Sequence, residues 1–250
     1  TRSLGLVARS RGDPALMKLL ISVRSVNEAR QAADGGADFI DLKEPRLGAL
    51  GALPLATIRS CVAALRDAGL PISATIGDVP MSALDDIAER VHAVADCGVD
   101  YVKVGIERDA AAHDVLTMLA ACGRPIVPVL LADRGLDAAL IVHASGLPFA
   151  GLMVDTADKQ AGSLFDGVAL PALQHFIASA RAASLMCGLA GALRMQHLPQ
   201  LITLAPDFAG SRTAVCTSNR GAALHVPRLH ALRQAVWPIS SARIESSALS

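Results

Sequence analysis

One feature limits what this chain can fold into more than any other. A short apolar run, a break of Gly, Pro or Asp, and an amphipathic stretch follow one another eight times along the sequence. The apolar runs fall at 19–23, 39–42, 72–75, 101–104, 126–131, 151–154, 185–189 and 208–211. Each is too short for a stable helix and is mostly apolar, as expected of parallel strands covered on both faces. The stretches 25–33, 55–68, 82–97, 169–182 and 226–236 carry helical patterning. Ser25 with Glu28 three residues on has the form of a capping box, and Gly36, Gly98 and Gly146 stand where a helix would close in a left-handed residue.

Eight strands alternating with helices predict a single-domain (β/α)8 TIM barrel, an α/β fold. An open doubly wound sheet is the competing arrangement. It would require a glycine-rich phosphate loop after its first strand, and SVRSVNEA is not one. Composition agrees with the barrel: 52% of residues are apolar but only 3% aromatic, so the core must be built from Ala, Val, Leu and Ile. The barrel domain is expected over 17–237. Residues 1–16 read as an N-terminal extension or expression remnant, and 238–250 as a polar tail.

Charge and cysteine usage remove several classes of function. Formal net charge is zero, which argues against a nucleic-acid partner. No apolar run approaches the roughly 18 residues that cross a bilayer, so no membrane partner is expected. Five scattered cysteines without a C-x-x-C pair point to a reducing, cytoplasmic setting. Histidines without metal-ligand spacing, and the lack of a dinucleotide fingerprint, lead us to expect no metal and no cofactor. A homo-oligomer is left open.

Lysine is the informative residue. The chain has four lysines against nineteen arginines, so arginine serves wherever a plain positive charge is enough. Arginine does not give up its proton, whereas a lysine in a shielded pocket can become a neutral amine, add to a carbonyl and form an imine. Lys43 follows the second strand, Lys103 lies on the fourth and Lys159 follows the sixth. All three should face the C-terminal rim, where barrels of this kind carry their active sites. Close amines would also depress one another's pKa. A solvated lysine is the ordinary alternative, and it weighs most for Lys159, in the polar segment DKQAG.

Asp41 lies two residues before Lys43, so strand alternation points both side chains into the barrel. Asp155 ends the sixth strand on the same rim. Asp78, in IGDVP, is better read as a turn cap than as a catalytic group. The loops after strands 7 and 8 commonly bind phosphate in such barrels. Here Gly191 and Gly210 could admit an anion to the backbone, and Arg212 could neutralise it. Structural glycines would look the same.

The segments DLKEPRLGALG (41–51), SATIGDVP (73–80), DYVKVG (100–105), VDTADK (154–159) and CGLAGAL (187–193) resemble the (5-formylfuran-3-yl)methyl phosphate synthase family. The family is also called 4-(hydroxymethyl)-2-furancarboxaldehyde-phosphate synthase and belongs to methanofuran biosynthesis. The resemblance runs from Met17 to about Val236 and departs after strand 8, at SRTAVCTSNRGAA, and around Lys159. It implies a cofactor-free lyase that condenses two molecules of glyceraldehyde 3-phosphate, releasing phosphate and water. By matched position Lys43 would form the Schiff base and Lys103 accept a proton, with Asp41, Asp155 and Lys159 in support. Another imine-forming aldolase or isomerase on triose or sugar phosphates, or a non-catalytic barrel that binds phosphorylated metabolites, are the alternatives.

Overall fold

The computed structural model describes residues 17–158 and 161–247. Expectations for residues 1–16 and for Lys159 fall outside them. Eight parallel strands close into a barrel in sequence order: β1 Lys18–Val23, β2 Phe39–Leu42, β3 Ile72–Thr75, β4 Tyr101–Ile106, β5 Ile126–Leu131, β6 Gly151–Asp155, β7 Met186–Leu189 and β8 Phe208–Ser211. The helices are α1 Val26–Asp34, α2 Leu55–Ala64, α3 Leu84–Ala95, α4 Ala112–Ala121, α5 Ala138–Ser145, α6 Leu164–Gly167, α7 Leu170–Ala182, α8 Leu198–Leu204 and α9 Val226–Ser247. The barrel expected from the sequence is therefore present, with strand limits within two residues of those read from the apolar runs. The last helix continues past the expected 226–236, into the segment read as a tail.

Alternation along the strands sorts the core into two layers. Leu19, Ile21, Ile40, Leu42, Val102, Val104, Leu152 and Val154 face outward and pack against the helices. Leu20, Phe39, Val127, Val129, Met153 and Phe208 fill the interior. The low aromatic content leaves one interior ring contact, Phe39 on Phe208, with centroids 5.7 Å apart. Phe208 takes up room that Gly188 leaves: a Cβ at Gly188 would lie 2.1 Å from the ring.

The repeated phrase in which Asp precedes an aromatic strand start has a structural cause. Asp38, Asp100 and Asp207 each precede a strand and accept a backbone N–H from a neighbouring one: Leu19, Ile72 and Cys187 respectively, all at 2.8 Å. These carboxylates satisfy amides at the N-terminal mouth that no ladder partner reaches. They belong to the stability end of the barrel, opposite Lys43 and Lys103.

Helix termini behave partly as expected. Ser25 accepts the Glu28 N–H and caps α1, but the Glu28 carboxylate does not return to Ser25. It accepts the Arg24 N–H at 3.1 Å and pairs with Arg212, because a buried guanidinium across the β1–β8 seam attracts it more strongly than a backbone amide. Gly36 and Gly98 have positive φ as predicted, whereas Gly146 stays right-handed at φ −81°.

Candidate functional site

Four ionisable side chains meet at the C-terminal end of the barrel. Lys43 comes directly after β2 and Lys103 sits at the third position of β4. Both face inward and both are buried, at 7% and 2% exposure. Asp41, wholly buried, joins them: Lys103 Nζ donates to its Oδ1 at 3.0 Å, and Lys43 Nζ lies 3.9 Å from its Oδ2. On the other side Lys43 Nζ is 3.8 Å from Asp155 Oδ2, at the end of β6. Lys43 thus stands between two carboxylates. The two lysines expected on one rim share one anionic partner, Asp41.

Asp41 is held from three strands. Ser22 Oγ on β1 donates to Oδ2 at 2.9 Å and Ser73 Oγ on β3 donates to Oδ1 at 2.8 Å. Burial alone would push this carboxyl up, but the charges of Lys103 and Lys43, with the hydrogen bonds from Lys103 and Ser73, outweigh it and hold the group below the usual range. It is therefore a fixed anion. Asp155 Oδ1 accepts the Thr156 N–H at 2.8 Å, which fixes the carboxylate at its strand end.

Space for a small molecule opens above this cluster, in a cavity of about 420 Å³ including its mouth. Asp41, Lys43 and Asp155 line it, together with Gly191, Gly210 and Arg220. Gly191 has φ +117°, which L side chains rarely adopt, and a Cβ at Gly210 would lie 2.9 Å from Met153 and 3.0 Å from Ala190. Both glycines identified from the sequence therefore lie at the cavity, Gly191 required by its backbone conformation and Gly210 by the side chains packed against it.

Arg212 also borders the cavity, but the anion it meets belongs to the protein. Nη1 and Nη2 form a two-pronged pair with Glu28 at 2.6 and 3.2 Å. Nη1 also reaches Ser22 O, Nη2 reaches Ala222 O, and Nε reaches Arg220 O. All five N–H donors are engaged, so the neutralising role expected of Arg212 is corrected to that of a strut. Asp78 likewise acts at a distance. Rather than closing its own turn, it accepts the N–H groups of Ala49 and Leu50, both at 3.1 Å, and so fixes the loop after Lys43. Asp133 accepts the Ala157 and Asp158 N–H groups and anchors the start of the segment leading to Lys159.

Sequence reasoning missed Ser22, Ser73, Glu28 and Arg220. For the serines a signal existed: a hydroxyl at an inward position of an otherwise apolar strand. Glu28 and Arg220 carried none, since their roles depend on loops packing across the seam. Among the described residues no three His, Cys, Asp or Glu side chains converge as a metal ion would need, and no helix is long and apolar enough to cross a membrane.

Several solved structures share this architecture. Phosphoribosyl anthranilate isomerase from Thermus thermophilus superposes with a TM-score of 0.63 at 13% identity, covering 88% of this chain and 98% of its own. A 3-hexulose-6-phosphate synthase gives 0.59 at 21% identity, covering 88% and 99%. At such identities the likeness speaks for the fold alone. Sequence relatives are more specific. The (5-formylfuran-3-yl)methyl phosphate synthase of Archaeoglobus fulgidus is 35% identical over 237 residues, 88% of this chain and 99% of that one. The same-named enzyme of Methanopyrus kandleri is 34% identical over 222 residues, covering 82% and 93%. The family model for 4-HFC-P synthase matches residues 19–233, from the first strand into the first part of α9. This chain is an enzyme of the 4-HFC-P synthase family.

Proposed function

We propose that this enzyme condenses two molecules of glyceraldehyde 3-phosphate into (5-formylfuran-3-yl)methyl phosphate, with loss of phosphate and water, through a Schiff base on Lys43. The observation that carries this reading is the position of Lys43 Nζ, 3.8–3.9 Å from two carboxylates inside a cavity, with a second buried lysine on one of them. Lys43 lines the cavity, so a carbonyl that enters can meet the amine beside its counter-ions.

The steps follow from the groups present. Lys43 adds to the aldehyde, and loss of water gives an iminium that acidifies the adjacent carbon. In its neutral form Lys103 takes that proton and becomes the ammonium that Asp41 balances; Lys43 must likewise be neutral when it adds to the aldehyde. Asp155 sits where it can return a proton to the imine side. Departure of phosphate from the carbon beyond then leaves an unsaturated intermediate that closes on the second triose. Lys159 would assist, and Gly191 and Gly210 would admit the phosphate group. A methanofuran pathway is the metabolic setting that such a product implies.

The test is to incubate the protein with glyceraldehyde 3-phosphate and borohydride and map the adduct by mass spectrometry. Modification of Lys43, lost in Lys43→Arg, is expected, together with a furan chromophore in the unreduced reaction. A product formed without any lysine adduct would overturn the imine route, and an adduct without the chromophore would indicate an aldolase.

A further inference from the structure

We propose that Arg220, in the loop after β8, is the cation that holds the phosphate of the substrate, a role for which Arg212 has no donor left. This rests on the reading of the cavity as the triose phosphate site.

The case begins with charge. Among the described residues lining the cavity, Lys43 faces Asp41 and Asp155, and Arg212 faces Glu28. Arg220 differs from both. It is half-buried, and among the described residues no carboxylate lies within ion-pair distance. Among the described residues its side chain donates to one group, the Gly48 carbonyl. A guanidinium has five donors, so most of its capacity remains available on the cavity side. Burial pulls its pKa below the usual value, and the more distant Asp155 and Asp78 offset this only in part. A cation held out of water without a matching anion is a site that gains by binding one.

The surrounding structure keeps it there. Arg212 Nε donates to the Arg220 carbonyl at 2.8 Å and Arg212 Nη2 to the Ala222 carbonyl at 2.7 Å. The Asn219 side chain accepts the Gly221 N–H at 2.9 Å. Arg212 thus builds the loop, and Arg220 extends from it over the cavity. The bond to Gly48 carries it towards the loop that begins at Lys43, which Asp78 fixes from below. Lys43, which would hold the aldehyde carbon, and Arg220, which would hold the phosphate, line the same cavity.

The experiment measures borohydride trapping against concentration for glyceraldehyde 3-phosphate and for glyceraldehyde, which lacks the phosphate. Arg220→Gln should raise the half-saturating concentration of the phosphate ester at least about tenfold and leave that of glyceraldehyde unchanged, with Arg220→Lys in between. Equal shifts for both aldehydes would make Arg220 a loop support, and no shift would leave it without a role; either result overturns the proposal. If the wild-type protein traps neither aldehyde, the imine reading fails, and calorimetric titration with inorganic phosphate then judges Arg220 alone. Binding by wild type that weakens at least about tenfold in Arg220→Gln sustains the anion site, whereas equal binding, or none, overturns it.

Discussion

Lys103 and Asp41 are 62 residues apart in sequence, yet their side chains meet at 3.0 Å with almost no access to water. The lysine also determines what Asp41 can do. With Lys103 on Oδ1 and Lys43 near Oδ2, the carboxylate is a shared counter-ion and a bridge between the two amines.

Replacing Lys103 by methionine keeps most of the side chain's length and removes the charge. Asp41 retains Ser22, Ser73 and Lys43, so the protein should fold, but with stability lower by about 3 kcal/mol, as found when one partner of a buried pair is lost. Borohydride trapping at Lys43 should persist while furan formation falls by about 10² to 10⁴. Denaturant titration and the chromophore assay read the two effects separately. Full turnover in this variant would remove Lys103 from the proton-transfer role.

The Glu28–Arg212 pair should give stability a definite dependence on pH. Burial of Glu28 works against its charge, but Arg212 and the Arg24 amide more than compensate, and its pKa is held below the ordinary 4.5. The folded protein therefore binds this proton less readily than the unfolded chain. Its contribution is complete above the unfolded pKa and is lost as pH falls through the lowered folded one. Urea denaturation from neutral to acid pH should show wild type more stable than Glu28→Gln by about 3 kcal/mol at pH 7. The two curves should converge in acid, and parallel curves would show that the pair adds nothing.

Glycine positions offer a contrast in steric cost. A Cβ at Gly188 would lie 2.1 Å from the Phe208 ring inside the barrel, and Gly188→Ala should cost about 2–3 kcal/mol. Adding Phe208→Leu should recover part of that loss by freeing the space. Gly69→Ala meets no atom within 4 Å, and its strain comes only from φ +68°, so a cost of about 1 kcal/mol is expected. Thermal melts of the three variants should rank accordingly.

Thiol chemistry should be slow in the native state. Burial pushes Cys61 to about 11; burial and then the charge of Asp207 push Cys187 to about 12. Neither carries appreciable thiolate near neutrality. A disulfide reagent at pH 8 should label half-buried Cys122 first and should reach Cys61 and Cys187 only after denaturation. Rapid labelling of Cys187 in folded protein would contradict the packing described.

How much of this was legible beforehand follows from the range of each interaction. Strand and helix limits depend on local periodicity, so β2, β3, β5 and β8 match the apolar runs residue for residue. Lys43, Lys103, Asp41 and Asp155 could be placed together because a closed parallel barrel brings every strand end to one rim. The helix after residue 225 was read too short, since the apolar pattern fades before the backbone leaves the helix.

Arg212 and Arg220 show where local reading stops. Eight residues apart in similar loop sequence, they look interchangeable, and the first was the natural choice for an anion. Only the closed seam between β1 and β8 brings Glu28 to Arg212, engages all five of its donors and leaves Arg220 over the cavity. The sequence by itself determined the barrel and the rim on which its lysines stand, because both follow from periods of a few residues. Tertiary structure decided which charges are paired within the protein and which face the cavity, because Coulomb attraction depends on distance in space and burial decides how strongly it acts.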